Sequence, residues 1–168
     1  MGELRINISK LSEGIHDYAF DVVAPSLGLD DRFKHVVHVD ASLEKNSRQL
    51  FLQADLSTTG NFVCDRCLED FQGNIKGKYS IVYLMENHST ESGGGDEVQL
   101  LGPDTNFIDL DEDVRQFLVL AVPQKLLCKE ECAGLCPTCG KNRNSSPCEC
   151  GKDTIDPRWE DLQKMFRN

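Results

Sequence analysis

No stretch of the 168-residue chain approaches the roughly 18 consecutive apolar residues of a membrane-spanning helix, and its mean hydropathy is −0.39. The opening MGELRINISKL lacks the basic start and apolar middle of a secretory signal, and Ile6 stands where a myristoylation signal wants Ser or Thr. These absences lead to the expectation of a soluble, unanchored cytoplasmic protein. Lys and Arg are missing from residues 79–114, which hold nine Asp and Glu, so most of the net charge of −10 sits there. A strongly basic, salt-driven nucleic-acid binder is excluded, although residues 115–168 carry nine basic against seven acidic side chains and can still touch phosphates. Also missing are a Gly-rich phosphate loop, a His-Glu-x-x-His helix, a Gly-x-Ser-x-Gly elbow and any internal repeat. His35 and His38 would face opposite sides of a strand, which removes them as a chelating pair.

What the chain has is cysteine: eight, six of them between Cys128 and Cys150. Thiols stay reduced in the cytoplasm, so these spacings point to metal ligands rather than disulfides. Cys136-Pro137-Thr138-Cys139-Gly140 has the spacing of a zinc knuckle, with two residues between thiolates and a glycine for the tight turn. Cys148 and Cys150 supply a second pair and complete a four-thiolate site of the closed, structural kind. Zinc is the expected cofactor. Sulfur ligands alone do not select it, so iron–sulfur chemistry and redox thiols stay open.

Cys64, Cys67, Cys128 and Cys132 make the expected second set, for two zinc ions per chain. Its assembly closes a loop of about 60 residues, a cost that grows only logarithmically and that zinc binding of ~10 kcal/mol or more can exceed. The rival division places Cys128, Cys132, Cys136 and Cys139 on one metal, and the bland alternative is two loose pairs of reduced thiols. A redox role would need a thiolate at a helix N-terminus, and both Cys-x-x-Cys pairs lie in turn-like or strand-like surroundings.

Alternation of polar and apolar residues marks strands at 3–8, around Tyr18, Phe20 and Val22, around Val37, Val39 and Ala41, and from Leu50 to Leu56. Thr58-Thr59-Gly60 reads as a turn, followed by strand-like Asn61–Val63 and a longer strand from Ile75 to Leu84. Residues 86–106, rich in Ser, Gly and acids, read as a flexible loop. Asp109 or Asp111 then caps a helix with Val114, Phe117, Leu118 and Ala121 on one face, and Pro123 ends it. A terminal helix starts at Asp156-Pro157 and carries Trp159, Leu162, Met165 and Phe166. The expected fold is α+β: an antiparallel meander, as a sheet or partly open barrel, one helix after it, a C-terminal zinc-ribbon-like segment and a terminal helix. The expected division is 1–127 for sheet and helix, and 128–168 for a cysteine-rich tail packed against them.

The chain resembles the YceD family of large ribosomal RNA subunit accumulation proteins, long carried as a domain of unknown function. The matching pieces are Cys64-Asp-Arg-Cys67-Leu68, Ile108-Asp109-Leu110, Leu118–Pro123, Cys128 through Asn144, and Asp156-Pro157-Arg158. Val122 stands where a leucine is usual, and Arg143 interrupts what is more often a leucine between two asparagines. The resemblance implies a role in accumulation or maturation of large-subunit ribosomal RNA, with a ribosomal protein, a precursor large subunit or the RNA itself as partner. It also implies a gene neighbourhood shared with a ribosomal protein and with lipid-synthesis enzymes. The expected function is a non-catalytic zinc-binding assembly factor. The alternatives are an RNA-processing enzyme, a thiol redox protein, or an accessory of lipid synthesis. Lys141, Arg143, Lys152, Arg158 and Arg167 are the candidate RNA or partner contacts.

Overall fold

The computed structural model describes residues 4–85 and 98–150. Seven strands and one helix follow in chain order: β1 (Arg5–Asn7), β2 (Gly14–Val23), β3 (Val36–Lys45), β4 (Gln49–Val63), β5 (Asp70–Met85), β6 (Val98–Leu101), β7 (Phe107–Asp109) and α1 (Asp111–Leu120). A short 3-10 turn, Ala24–Leu27, links β2 to β3. Strands β2 to β5 form the antiparallel meander that the alternation predicts, in the order β2-β3-β4-β5-β6. Register fixes one buried face: Val22 opposes Val37, Val39 opposes Leu56, Leu43 opposes Leu52, which in turn opposes Ile81. Because side chains alternate with period two, every second residue along these long strands enters the same core.

The expected turn at Thr58-Thr59-Gly60 does not form. β4 runs straight through it to Val63, pairing Thr58 with Ile75, Gly60 with Gly73 and Phe62 with Phe71. Gly60 is required by close approach: a Cβ added there would sit 2.5 Å from Phe62 Cζ, so the ring of Phe62 fills the space over the glycine pair. An aromatic covering a cross-strand glycine compensates its missing side chain, and that long-range packing overrides the local turn signal.

Part of the stretch read as a loop, 86–106, is also strand. β6 adds to the edge of β5 in parallel, with Val82 opposite Val98 and Met85 opposite Leu101, and only Leu101 of its four residues is buried. So short and exposed a strand has no alternation to announce it. β7 pairs with β1 across the chain, Ile6 opposite Ile108, and Arg5 binds Asp109 at 2.9 Å. Residues 102–106 are turn and irregular chain as expected, while residues 86–97 and the expected terminal helix from Asp156 lie outside the described residues.

Helix α1 covers the sheet. Val114 and Leu118 are fully buried, and Phe117 stacks on Tyr79 with ring centroids 4.6 Å apart. Its acidic start is used locally. Asp109 accepts the Asp111 N–H, Asp111 reaches back to the Leu4 N–H at 2.9 Å, and Glu112 binds Arg115 and Gln116. Carboxylates at this end complement the helix dipole. Among the described residues, no helix is long and apolar enough to cross a membrane.

Candidate metal centres

The connection from β4 to β5 is a knuckle built like the one in the tail. Cys64 N–H donates to Glu69 O at 2.9 Å, and Leu68 N–H donates back to Cys64 O at 2.9 Å. In the tail, Cys136 N–H donates to Lys141 O at 2.8 Å and Gly140 N–H to Cys136 O at 2.9 Å. The same ring of bonds thus closes both turns, and the residue after the second cysteine is left-handed in each, Leu68 at φ 59° and Gly140 at φ 70°. A leucine in that conformation is strained where glycine is not, which hides the kinship of the two turns from sequence reading.

Each knuckle gathers two further cysteines. Cys64, Cys67, Cys128 and Cys132, the hairpin set, have sulfurs all within 4.8 Å of one another, and so do Cys136, Cys139, Cys148 and Cys150, the tail set. In the hairpin set Cys64 Sγ lies 3.8 Å from Cys132 Sγ, and Cys67 Sγ lies 3.7 Å from Cys128 Sγ. A tetrahedron of sulfurs at ~2.3 Å from a central zinc has edges of ~3.8 Å, whereas a disulfide bond is ~2.05 Å. The spacing fits a shared cation, and all eight thiols are free of disulfides. The rival grouping of Cys128 and Cys132 with Cys136 and Cys139 is not one of the two clusters found among the described residues.

Electrostatics agree with the donor set. Burial pushes the Cys64 thiol up, but the N–H groups of Cys128, Arg66 and Cys67 outweigh it and hold the thiol at about 6. The N–H groups of Cys139 and Thr138 hold Cys136 at about 6. Burial and the neighbouring sulfurs push Cys128 up to about 12, and Cys139 and then burial do the same to Cys150. Four thiols so close cannot all ionise against one another unless a cation sits among them.

The hairpin set is the more enclosed. Cys64, Cys67 and Cys132 are buried, with Phe71 and Leu127 packed against them, whereas Cys139 in the tail set is exposed. Two side chains inside the first knuckle also hold the incoming segment, a role sequence reading missed. Asp65 accepts the Leu126 N–H at 2.7 Å while its own N–H donates to Leu126 O. Arg66 donates to the carbonyls of Glu130 and Cys132, both at 3.0 Å, and its carbonyl accepts the Leu135 N–H. Gly134 permits that approach: its φ is +68°, and a Cβ there would lie 3.0 Å from Arg66 O.

The tail knuckle continues into a single antiparallel bridge, Leu135 to Asn142, with Arg143 N–H donating to Gly134 O. Lys141 and Arg143 are exposed, and Arg143 borders a concavity beside Pro137, Thr138 and Cys148. Lys152, Arg158 and Arg167 lie outside the described residues.

The family model described as "Large ribosomal RNA subunit accumulation protein YceD" matches residues 52–166, a span that includes both cysteine sets. An uncharacterised protein of Mycobacterium tuberculosis H37Rv is 28% identical over 132 residues, covering 78% of this chain and 62% of the relative. The chain therefore spans about 62% of the length of that mycobacterial relative. The YlbN protein of Bacillus subtilis is 25% identical over 142 residues, covering 84% of this chain and 80% of the relative. An Arabidopsis thaliana protein, "Large ribosomal RNA subunit accumulation protein YCED homolog 1, chloroplastic", is 29% identical over 63 residues, 38% of this chain and 20% of its own. No solved structure matches.

Proposed function

The chain belongs to the YceD family, and from that premise we propose that it is a non-catalytic, zinc-binding factor of ribosome biogenesis that supports accumulation or maturation of large-subunit ribosomal RNA. The observation that carries the zinc part is the hairpin set, where sulfurs from a strand turn and from a segment some 60 residues on converge at 3.7 and 3.8 Å. Zinc at such a site supplies no open coordination position and hence no chemistry on a substrate; it holds chain segments together. Cys64, Cys67, Cys128 and Cys132 would hold one ion and Cys136, Cys139, Cys148 and Cys150 a second.

An RNA-cleaving reading finds less support. Of the carboxylates at the start of α1, Asp109, Asp111 and Glu112 are engaged with Arg5, the Leu4 N–H, and Arg115 and Gln116. A thiol-redox reading needs a Cys-x-x-Cys at a helix N-terminus, and both pairs sit in hairpin-like turns. A basic partner, such as a ribosomal protein, suits the outer face of the sheet. Asp17, Asp21, Asp40, Glu44 and Asp55 are exposed there, and Asp40 stands directly opposite Asp55. Lys78 pairs with Asp55 at 3.2 Å and His38 bonds Asp21, so Asp17, Asp40 and Glu44 are the carboxylates left for a cationic partner to meet. Precursor large subunits and their RNA remain the assembly in which that partner would be met, in the cytoplasm.

The test is to purify the tagged chain at native abundance and identify what accompanies it. Precursor large subunits or a large-subunit ribosomal protein are expected. Metal-dependent RNA cleavage lost in the Asp111→Asn/Glu112→Gln/Asp113→Asn variant would replace the assembly-factor reading with an enzymatic one.

Zinc affinity should also depend on pH in a definite direction. Thiols that are still protonated at neutral pH, foremost Cys128 and Cys150 at about 12, must give up protons when metal enters. Cys64 and Cys136, held at about 6, take up protons as pH falls through that value and then compete with the metal. Affinity therefore rises with pH, and loading a weakly buffered apoprotein acidifies the solution. Zinc uptake without proton release would contradict the thiol assignment.

A further inference from the structure

Asn144 belongs to neither cysteine set, but it bonds a ligand of one and lies in the loop between ligands of the other. It follows directly on the bridged segment of the tail knuckle, where Cys136 N–H bonds Lys141 O, Leu135 pairs with Asn142 and Arg143 N–H bonds Gly134 O. Its side chain then leaves the tail set. The amide Nδ2 donates to Cys132 Sγ of the hairpin set at 3.2 Å, and Oδ1 accepts the N–H of Ala133, next to that ligand, at 2.8 Å. Asn142 Oδ1 accepts from the Asn144 N–H and from Nδ2, both at 2.9 Å, which fixes the orientation of the amide. An N–H donor to a ligating sulfur favours the thiolate, and such contacts outside the ligand shell commonly tune metal affinity by about 10–100-fold.

We infer that the two metal sites load cooperatively, with Asn144 as the positioning residue that couples them. The inference rests on the reading that both cysteine sets bind zinc. Backbone bonds hold the first part of the segment between Cys139 and Cys148, and filling the tail set anchors its far end as well, with Asn144 within that loop. Filling the tail set removes the freedom of the loop, so the ordering of Asn144 on Cys132 no longer has to be met when the hairpin set binds. Linkage makes the effect reciprocal: a metal on the hairpin set fixes Cys132, and through Asn144 the loop between Cys139 and Cys148. Neither site touches the other's metal. The coupling runs through one side chain that carries no charge.

The test is a zinc titration of the full chain against a chelating dye. The overall constant for binding two ions is compared with the product of the single-site constants. The hairpin-set constant is measured in Cys148→Ser/Cys150→Ser, and the tail-set constant in Cys64→Ser/Cys67→Ser. The expected ratio of overall constant to product is roughly tenfold or more, falling close to one when the same three measurements are made with Asn144→Ala added. A merely structural Asn144 would lower individual constants and leave the ratio alone. Cadmium-113 resonances give a second readout in the doubly loaded chain, where Asn144→Ala should move the hairpin-set signal far more than the tail-set signal. A ratio of one in the unaltered chain, or one that survives Asn144→Ala, overturns the coupling while leaving two zinc sites in place. A chain that takes up no zinc overturns the metal reading and the coupling together.

Discussion

Replacing Cys64 and Cys67 by serine is expected to halve the zinc content and to release residues 126–150 from the sheet, while β2 to β5 stay folded. The hairpin set is the only four-thiol cluster among the described residues that spans both regions, since Cys64 and Cys67 follow β4 and Cys128 and Cys132 follow α1. Structural zinc contributes about 10–16 kcal/mol of apparent binding energy at neutral pH, all of it available to hold the segments it joins. Without the metal, the attachment falls to the partly buried Leu126 and Leu127 and to the hydrogen bonds of Asp65 and Arg66 to Leu126, Glu130, Cys132 and Leu135. Each such bond is worth about 0.5–1.5 kcal/mol net, so a handful cannot keep 25 residues of irregular chain closed for long. Limited proteolysis should therefore cut early within 126–150 in the variant, and amide exchange in β3 and β4 should stay slow. A tail as protected as in the unaltered chain would mean that Asp65 and Arg66 suffice and that the metal is no clamp.

The second large effect is expected in the main core. Leu118 is fully buried between α1 and the sheet, in the same cluster as Val114, Leu110 and Tyr79. Leu118→Ala removes its contacts and leaves a cavity where the helix and the long strands meet, costing about 2–5 kcal/mol of unfolding free energy. Its neighbour Val119 is 43% exposed, so Val119→Ala should change stability by about 0.5 kcal/mol or less. Urea unfolding of the two variants measures the contrast. Equal, small shifts would place α1 off the core and undo the packing described for it.

The long strands were legible because each carries a run of alternating apolar residues: Leu50, Leu52, Ala54 and Leu56 could face only one way. Helix α1 was legible for the corresponding reason, apolar residues at helical spacing behind an acidic start. What sequence reading missed depends on partners far away in the chain. The turn read at Thr58-Thr59-Gly60 is a strand because Gly73 and Phe62 complete it, and β6 exists because β5 offers an edge. The cysteines themselves stood out by spacing alone. Asp65, Arg66 and Asn144, which position the ligands, carry no spacing signal, since each acts on a backbone group or sulfur that only the folded chain brings near. Leu68 hid the likeness of the two knuckles by standing where the tail has glycine.

The central claim is that this fold is organised around two closed thiolate sites. Metal analysis of the full chain, purified without added metal or chelator, tests it most directly when combined with zinc-edge X-ray absorption. The account predicts two zinc ions per chain, each with four sulfur neighbours at ~2.3 Å. One ion, none, or nitrogen and oxygen in the ligand shell would contradict it.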